Sequence, residues 1–345
     1  MYPKPDEVAL VAAMRLGQQN CLKVGLTGIH DYDGRSCFQA LQSLHQNDTL
    51  QLRVVKNIPL NLLDQAIGLG LRSGLGDDWL RIGGVKMFAD GALGPRTAAM
   101  LSPYENEPDN LGIVVTEKEE MMARAIAASA AGLCVTIHAI GDRANHEVLD
   151  VYEGVRQEES KRLGSSRTRS SYLRHRIEHA QLLHPQDMLR FAKLGVIASM
   201  QPIHATSDME MAERYWGKRT RYAYAWRTLL EAGAAIVFGS DAPVEPIDPL
   251  TGIYAAVSRR RSDGWPSPQG WHPGQKLTVT EAIAAYSMGA AFASGREKRM
   301  GSIAPGKIAD LTIFDQDIYQ IPSDELLGAG IAGTMVAGKM RYQNW

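Results

Sequence analysis

Short apolar, β-branched runs alternate with longer stretches of helical spacing from about residue 24 to residue 295 of the 345-residue chain. Seven runs read as strands: GLTGIH (25–30), QLRVVK (51–56), GGVKMFA (83–89), LCVTIH (133–138), LRHRIEH (173–179), GVIASMQ (195–201) and AIVFGSD (235–241). Most are apolar on both faces, as strands buried in a parallel sheet are, and their alternation with helices is the signature of repeated βα units. Among the helical stretches, TEKEEMMARAIAASAAG has Thr116 placed as N-cap, Glu119 at the capping-box position and Gly132 at its end. HPQDMLRFAKLG follows Gln181, and TVTEAIAAYSMGAAFASG offers Thr278 or Thr280 as a cap. The polar segment ESKRLGSSRTRSS (159–171) reads as a solvated loop. After about residue 300 the pattern changes to short strands joined through Gly and Pro turns, so residues 299–345 are expected to form a small β unit beside a barrel built from 1–298.

Length agrees with that division, because an α/β barrel needs roughly 250 residues. A formal net charge of -1 and 22% charged residues argue against a nucleic-acid partner. Cys21, Cys37 and Cys134 are odd in number and widely spaced, which fits reduced thiols and a cytoplasmic location. No apolar run approaches the ~20 residues of a membrane span, and the first twenty residues lack a signal-peptide apolar region. A small-molecule substrate and a homodimer are the expected partners.

In an α/β barrel the C-terminal ends of all strands share one face, where active sites are assembled. Lys86, His138, His179 and Asp241 each lie at such an end. A single strand-end histidine is more often a hydrogen-bonded core residue than a ligand. Two histidines and an aspartate on separate strands, however, form an N/O donor set suited to zinc or a similar divalent ion. Lys86 cannot ligate as an ammonium. Burial lowers a lysine pKa, and the neutral amine can take up carbon dioxide to give an anionic carbamate; the plain alternative is an ion pair with Asp90. Asp90, Arg96, Arg143 and His204, close to the same strand ends, are candidates for substrate contact. Gln201-Pro202 is a candidate for the pocket wall, and His45, His146, His175, His184 and His272 read as helix or loop residues.

VKMFADGALG, VTIHAIGDRANHEVLD, RIEHAQ, ASMQP, FGSDAPVEP and the closing GSIAPGKIADLTIFD together resemble the amidohydrolase superfamily, nearest the branch containing N-substituted formamide deformylase. The resemblance implies a (β/α)8 TIM-type barrel and a small β-sandwich, of which the C-terminal segment would be a portion. It also implies hydrolysis of a non-peptide carbon–nitrogen bond. By it Lys86 is a carboxylated bridging lysine, His138 and His179 hold a second metal, and Asp241 holds the first and shuttles the proton. The family's H-x-H pair on the first barrel strand occurs nowhere in this chain, so the barrel is expected to lack its first strand and to bind at most about one of the two metals. His30-Asp31 ends a strand that falls second in order. Two other readings stand beside the hydrolase: a Schiff-base lyase using Lys86 as nucleophile, and an inactive or ligand-binding barrel fragment.

Overall fold

A computed structural model describes residues 6–164 and 173–345. All seven expected strands form, as β1 (Gly28–Asp31), β2 (Arg53–Pro59), β3 (Leu80–Phe88), β4 (Cys134–Ala139), β5 (Arg176–His179), β6 (Ile197–Met200) and β7 (Ile236–Phe238). They make one all-parallel sheet in the order β1 to β7, with β1 and β7 as its two edges. The sheet is strongly curled. Flat, it would hold β1 and β5 roughly 19 Å apart, four spacings of about 4.8 Å, yet Arg176 of β5 donates to Nδ1 of His30 on β1 at 2.7 Å. Seven parallel strands therefore wrap into an open barrel wall.

Strand alternation divides the residues between the two faces of that wall. Val85, Met87, Val135, Ile137 and Ile177 are buried outward against the helices, where they join Met121 and Ala125 of the helix Lys118–Ala130 and Val148, Leu149 and Tyr152 of the helix Asp142–Leu163. Burying each large aliphatic side chain contributes about 1.5–3 kcal/mol. The intervening residues face the lumen and are largely polar, with Lys86 beside Thr136 and Arg176 in one row and Phe88 beside His138, Glu178 and Ser199 in the next. The expectation of strands apolar on both faces therefore holds at β7, where Val237 continues an inner row, and at Ile197 of β6, but on the outer face alone of β3, β4 and β5.

Two details differ from the sequence reading. The helix after β3 begins at Lys118 with Glu117 as N-cap and no side-chain capping bond, not with Thr116. Val115 still pairs with Ala89 in extended backbone and Thr116 is buried, so the first turn starts one residue later. Residues 159–163, expected in a loop, are the last turn of Asp142–Leu163, where Glu159 is buried on Ser129, His175 and Arg156; residues 165–172 of that expected loop lie outside the described residues. Thr278, by contrast, caps its helix through a complete capping box with Glu281.

The C-terminal strands β8 (Leu311–Phe314), β9 (Ile331–Val336) and β10 (Lys339–Gln343) form a separate antiparallel sheet. It packs where the wall's strands begin. Thr312 and Thr334 donate to the carbonyls of Gly25 and Leu22, Arg53 pairs with Asp310, and Val336 packs on Leu22 and Leu52. The small sheet is therefore at the opposite end from the strand C-termini. No helix among the described residues is long and apolar enough to cross a membrane.

Candidate active site

Lys86, His138 and His179 meet at the C-terminal end of the wall. The rings of His138 and His179 lie edge to face with centroids 4.6 Å apart. Lys86 Nζ sits over the rings of Phe88 at 4.6 Å and Tyr32 at 5.0 Å. Burial brings its pKa down to about 8, against the opposing charges of Glu178 and Asp241. Asp241 follows β7 by three residues, and its own carboxyl is pushed up by burial and pulled back by Lys86. All four expected residues thus share the strand-end side of one wall, with Lys86 within electrostatic reach of the other three.

Burial keeps the histidines neutral. His138 falls to about 4 through burial and then Lys86, and His179 drops well below the ordinary value through burial and then His138 and Lys86. A neutral imidazole has one nitrogen free to ligate, and the hydrogen bond on the other nitrogen decides which. His179 Nδ1 donates to Gln201 Oε1 at 2.9 Å, leaving Nε2 free. His138 Nε2 donates to the Gly91 carbonyl at 2.8 Å, leaving Nδ1. Backbone strain marks the same positions, since His179 (φ 74°), Ala180 (φ 45°) and Asp241 (φ 59°) are non-glycine residues in the left-handed region.

Of the four substrate-contact candidates, Asp90 lies against this cluster, its Oδ1 3.6 Å from His138 Nε2, and so does His204. Its ring stacks on His179 with centroids 5.8 Å apart, and burial lowers its pKa to about 4. Arg96 pairs with Glu107 and Arg143 with Glu147, both half out in solvent. Asp90 is fully enclosed and makes no pair with Lys86. It accepts the backbone N–H groups of Ala99, Ile140 and Gly141 at 2.8–3.0 Å, tying the loop after β3 to the loop after β4. His30 and Asp31 likewise look inward, onto Arg176 and Lys56.

A buried network that no motif singles out lies under the cluster. Glu178 accepts from Tyr32 Oη at 2.6 Å and is ion-paired with Arg176, whose Nε lies 2.8 Å away, and Arg176 also donates to Tyr32. The alternating Arg176 and Glu178 within RIEH were the signal, because charged residues two apart in a buried strand require a polar face.

The two neutral histidines are a donor set that suits a divalent cation, while the potential ligand atoms of His138, His179 and Asp241 do not all lie within 4.8 Å of one another. Among the described residues one trio of potential ligand atoms lies within 4.8 Å, on Asp31, Asp33 and Cys37. It does not fit a metal. The Lys56 ammonium already bonds Asp31 and the Asp33 carbonyl, and burial holds the Cys37 thiol up at about 12.

The fold is that of the amidohydrolases, and the chain belongs to the amidohydrolase family, which it matches over residues 1–342. It is similar to the protein LONG AFTER FAR-RED 3 of Arabidopsis thaliana, 34% identical over 85% of this chain and 48% of that protein. It is 35% identical to the putative amidohydrolase YtcJ of Bacillus subtilis over 78% of this chain and 49% of that one. It is 29% identical to the N-substituted formamide deformylase of Arthrobacter pascens over 76% and 46%. Among solved structures, an uncharacterized metal-dependent hydrolase from Pyrococcus horikoshii OT3 superposes with a TM-score of 0.81 at 30% identity, covering 92% of this chain and 62% of that one. The chain spans about half the length of these curated relatives.

Proposed function

We propose that the chain carries the site of a metal-dependent hydrolase acting on a non-peptide, amide-like carbon–nitrogen bond. The observation that carries this reading is the meeting of neutral His138 and His179 with Lys86, whose pKa is lowered by burial, at the strand C-termini. His138, His179, Asp241 and carboxylated Lys86 would hold the ion, zinc being the expectation for such donors. When bound, a divalent ion there supplies Lewis acidity that lowers the pKa of water toward ~7 and polarises the substrate carbonyl.

The chain's own groups do the rest. With a pKa of about 8, Lys86 is neutral in about a tenth of molecules near pH 7, far more than an ordinary lysine, and that amine adds to carbon dioxide with release of a proton. The carbamate exchanges a cation facing two imidazoles for an anion. Glu178 opposes the exchange, since two buried negative charges then face each other, and its pairing with Arg176 moderates the repulsion. Gln201 fixes His179 in the tautomer with Nε2 free. Asp241, pushed up by burial, is suited to take a proton from water and pass it to the leaving nitrogen.

Mass-spectrometric metal analysis of protein purified from zinc-supplemented cells, alongside His138→Asn and His179→Asn, tests the reading. The expected content is at most about one ion per chain by the ligand count, falling in both variants, together with hydrolysis of simple formamides above the variants' level. Absence of bound ion under every condition, or trapping of Lys86 by a carbonyl compound and borohydride in place of hydrolysis, would overturn it.

A further inference from the structure

Asn145 stands fully buried in the first turn of the helix Asp142–Leu163. Its side-chain nitrogen faces four backbone carbonyls: Gly141 at 2.9 Å, Leu182 at 3.1 Å, and Ala139 and Ile140 at 3.3 Å each. Three of these follow His138 directly along the chain, and the fourth lies three residues past His179. Turning the amide over would set an oxygen among four oxygens, so the surroundings fix which end is the nitrogen. The amide oxygen, Oδ1, has no hydrogen-bond partner. Buried acceptors are rarely left unmatched, and here the unmatched oxygen belongs to an amide whose two N–H groups are shared among four acceptors.

The Leu182 contact sets this residue apart. An asparagine side chain in a helix can reach the carbonyl one turn back, here Gly141, by local geometry alone. Leu182 is 37 residues away and closes the turn in which His179 (φ 74°) and Ala180 (φ 45°) take left-handed backbone. Such backbone persists only where its surroundings over-determine it. Leu182 is held twice, its N–H by the Ile140 carbonyl at 2.9 Å and its own carbonyl by Asn145. Tyr224 N braces the neighbouring Gln181 carbonyl from the other side at 2.6 Å.

We infer that Asn145 is a positioning residue for the histidine pair: by gripping the chain after β4 and the chain after β5 with one nitrogen, it sets how the His138 and His179 rings face each other. The edge-to-face contact of the rings at 4.6 Å, and the Gln201 bond that fixes the His179 tautomer, both depend on where the turn after β5 is pinned. Asn145 bonds neither imidazole and acts through the backbone that carries them. The inference rests on the hydrolase reading for the use made of the two rings; the clamp itself does not depend on a metal.

The full chain carrying nitrogen-15-labelled histidine is compared, metal-free and with added zinc, as wild type, Asn145→Ala, Asn145→Ser and Tyr152→Phe. Ring resonances are assigned by their loss in His138→Asn and His179→Asn. Asn145→Ser keeps a hydroxyl able to bond Gly141 but too short for Leu182, so it carries the test where Asn145→Ala fails to fold. Tyr152→Phe is the control, because the Tyr152 hydroxyl ties the same two strands at Val135 and Arg176, three residues before each histidine. In metal-free wild type, His179 should show one protonated and one bare ring nitrogen. Both Asn145 variants are expected to draw those two resonances together as the tautomers mix, and to weaken zinc binding about ten-fold or more. Tyr152→Phe is expected to lower the urea midpoint and leave rings and zinc as in wild type. Unchanged rings in a folded Asn145 variant, or equal disturbance by Tyr152→Phe, overturns the inference. Zinc held by the wild type with unchanged rings in the variants sinks the positioning role alone; altered rings in a chain that binds no zinc sink the hydrolase reading alone.

Discussion

His30 accepts a hydrogen bond from the Arg176 guanidinium and is half-buried on the edge strand, and burial followed by that positive charge lowers its pKa to about 3. An unfolded histidine titrates near ~6.5. Between about pH 6.5 and about pH 3 the unfolded chain therefore binds a proton that the folded chain refuses. The stability His30 contributes is complete above that window and is lost as pH falls through it. His30→Asn retains a side-chain oxygen able to accept from Arg176 but cannot titrate. Urea denaturation should show the wild type's advantage over His30→Asn shrinking by up to about 1.4 kcal/mol per pH unit below that onset. An advantage independent of pH would contradict the burial argument. Other residues speak the same language: Asp90, raised to about 7, and Asp208, raised to about 6, work in the opposite sense, which is why the comparison must be with a single-site variant and not read from the whole titration.

The loops after β3 and β4 show how far elements can be read from sequence. The seven strands were legible because each is a compact apolar run between helical spacings, and Gly132 marked a helix end, where it adopts φ 82°. The Thr116 cap was not legible, since the residue that opens the helix depends on Val115 still pairing with Ala89. Asp90 was marked as a substrate contact from its place near a strand end, but three backbone donors converge on it from two loops, a long-range arrangement that no local pattern encodes. At the same seam a Cβ on Gly141 would come within 1.9 Å of the Ala99 carbonyl oxygen. Gly141→Ala should therefore force the two loops apart and destabilise the fold by about 1–3 kcal/mol or more, measured by chemical denaturation. A change within a few tenths of a kcal/mol would show that the loops yield freely.

Across the whole molecule, the wall has an apolar outer face and a charged inner one, held in its curl by Arg176 reaching His30 and by Tyr32 and Arg176 meeting on Glu178. The number and order of strands were evident from sequence. The polar lining was not, because its partners are 146 residues apart and a charge in a strand declares its face only once the curvature is known. This layering bears on the response to temperature. Hydrophobic burial weakens on cooling, and withdrawing charged groups from water becomes harder as their hydration grows more favourable in the cold. Chill thus loosens the shell and strains the lining together, against a conformational-entropy cost that itself falls on cooling. The tie between the first and fifth strands is where that double loss should be felt, so a curled wall of this kind is better suited to warmth than to frost.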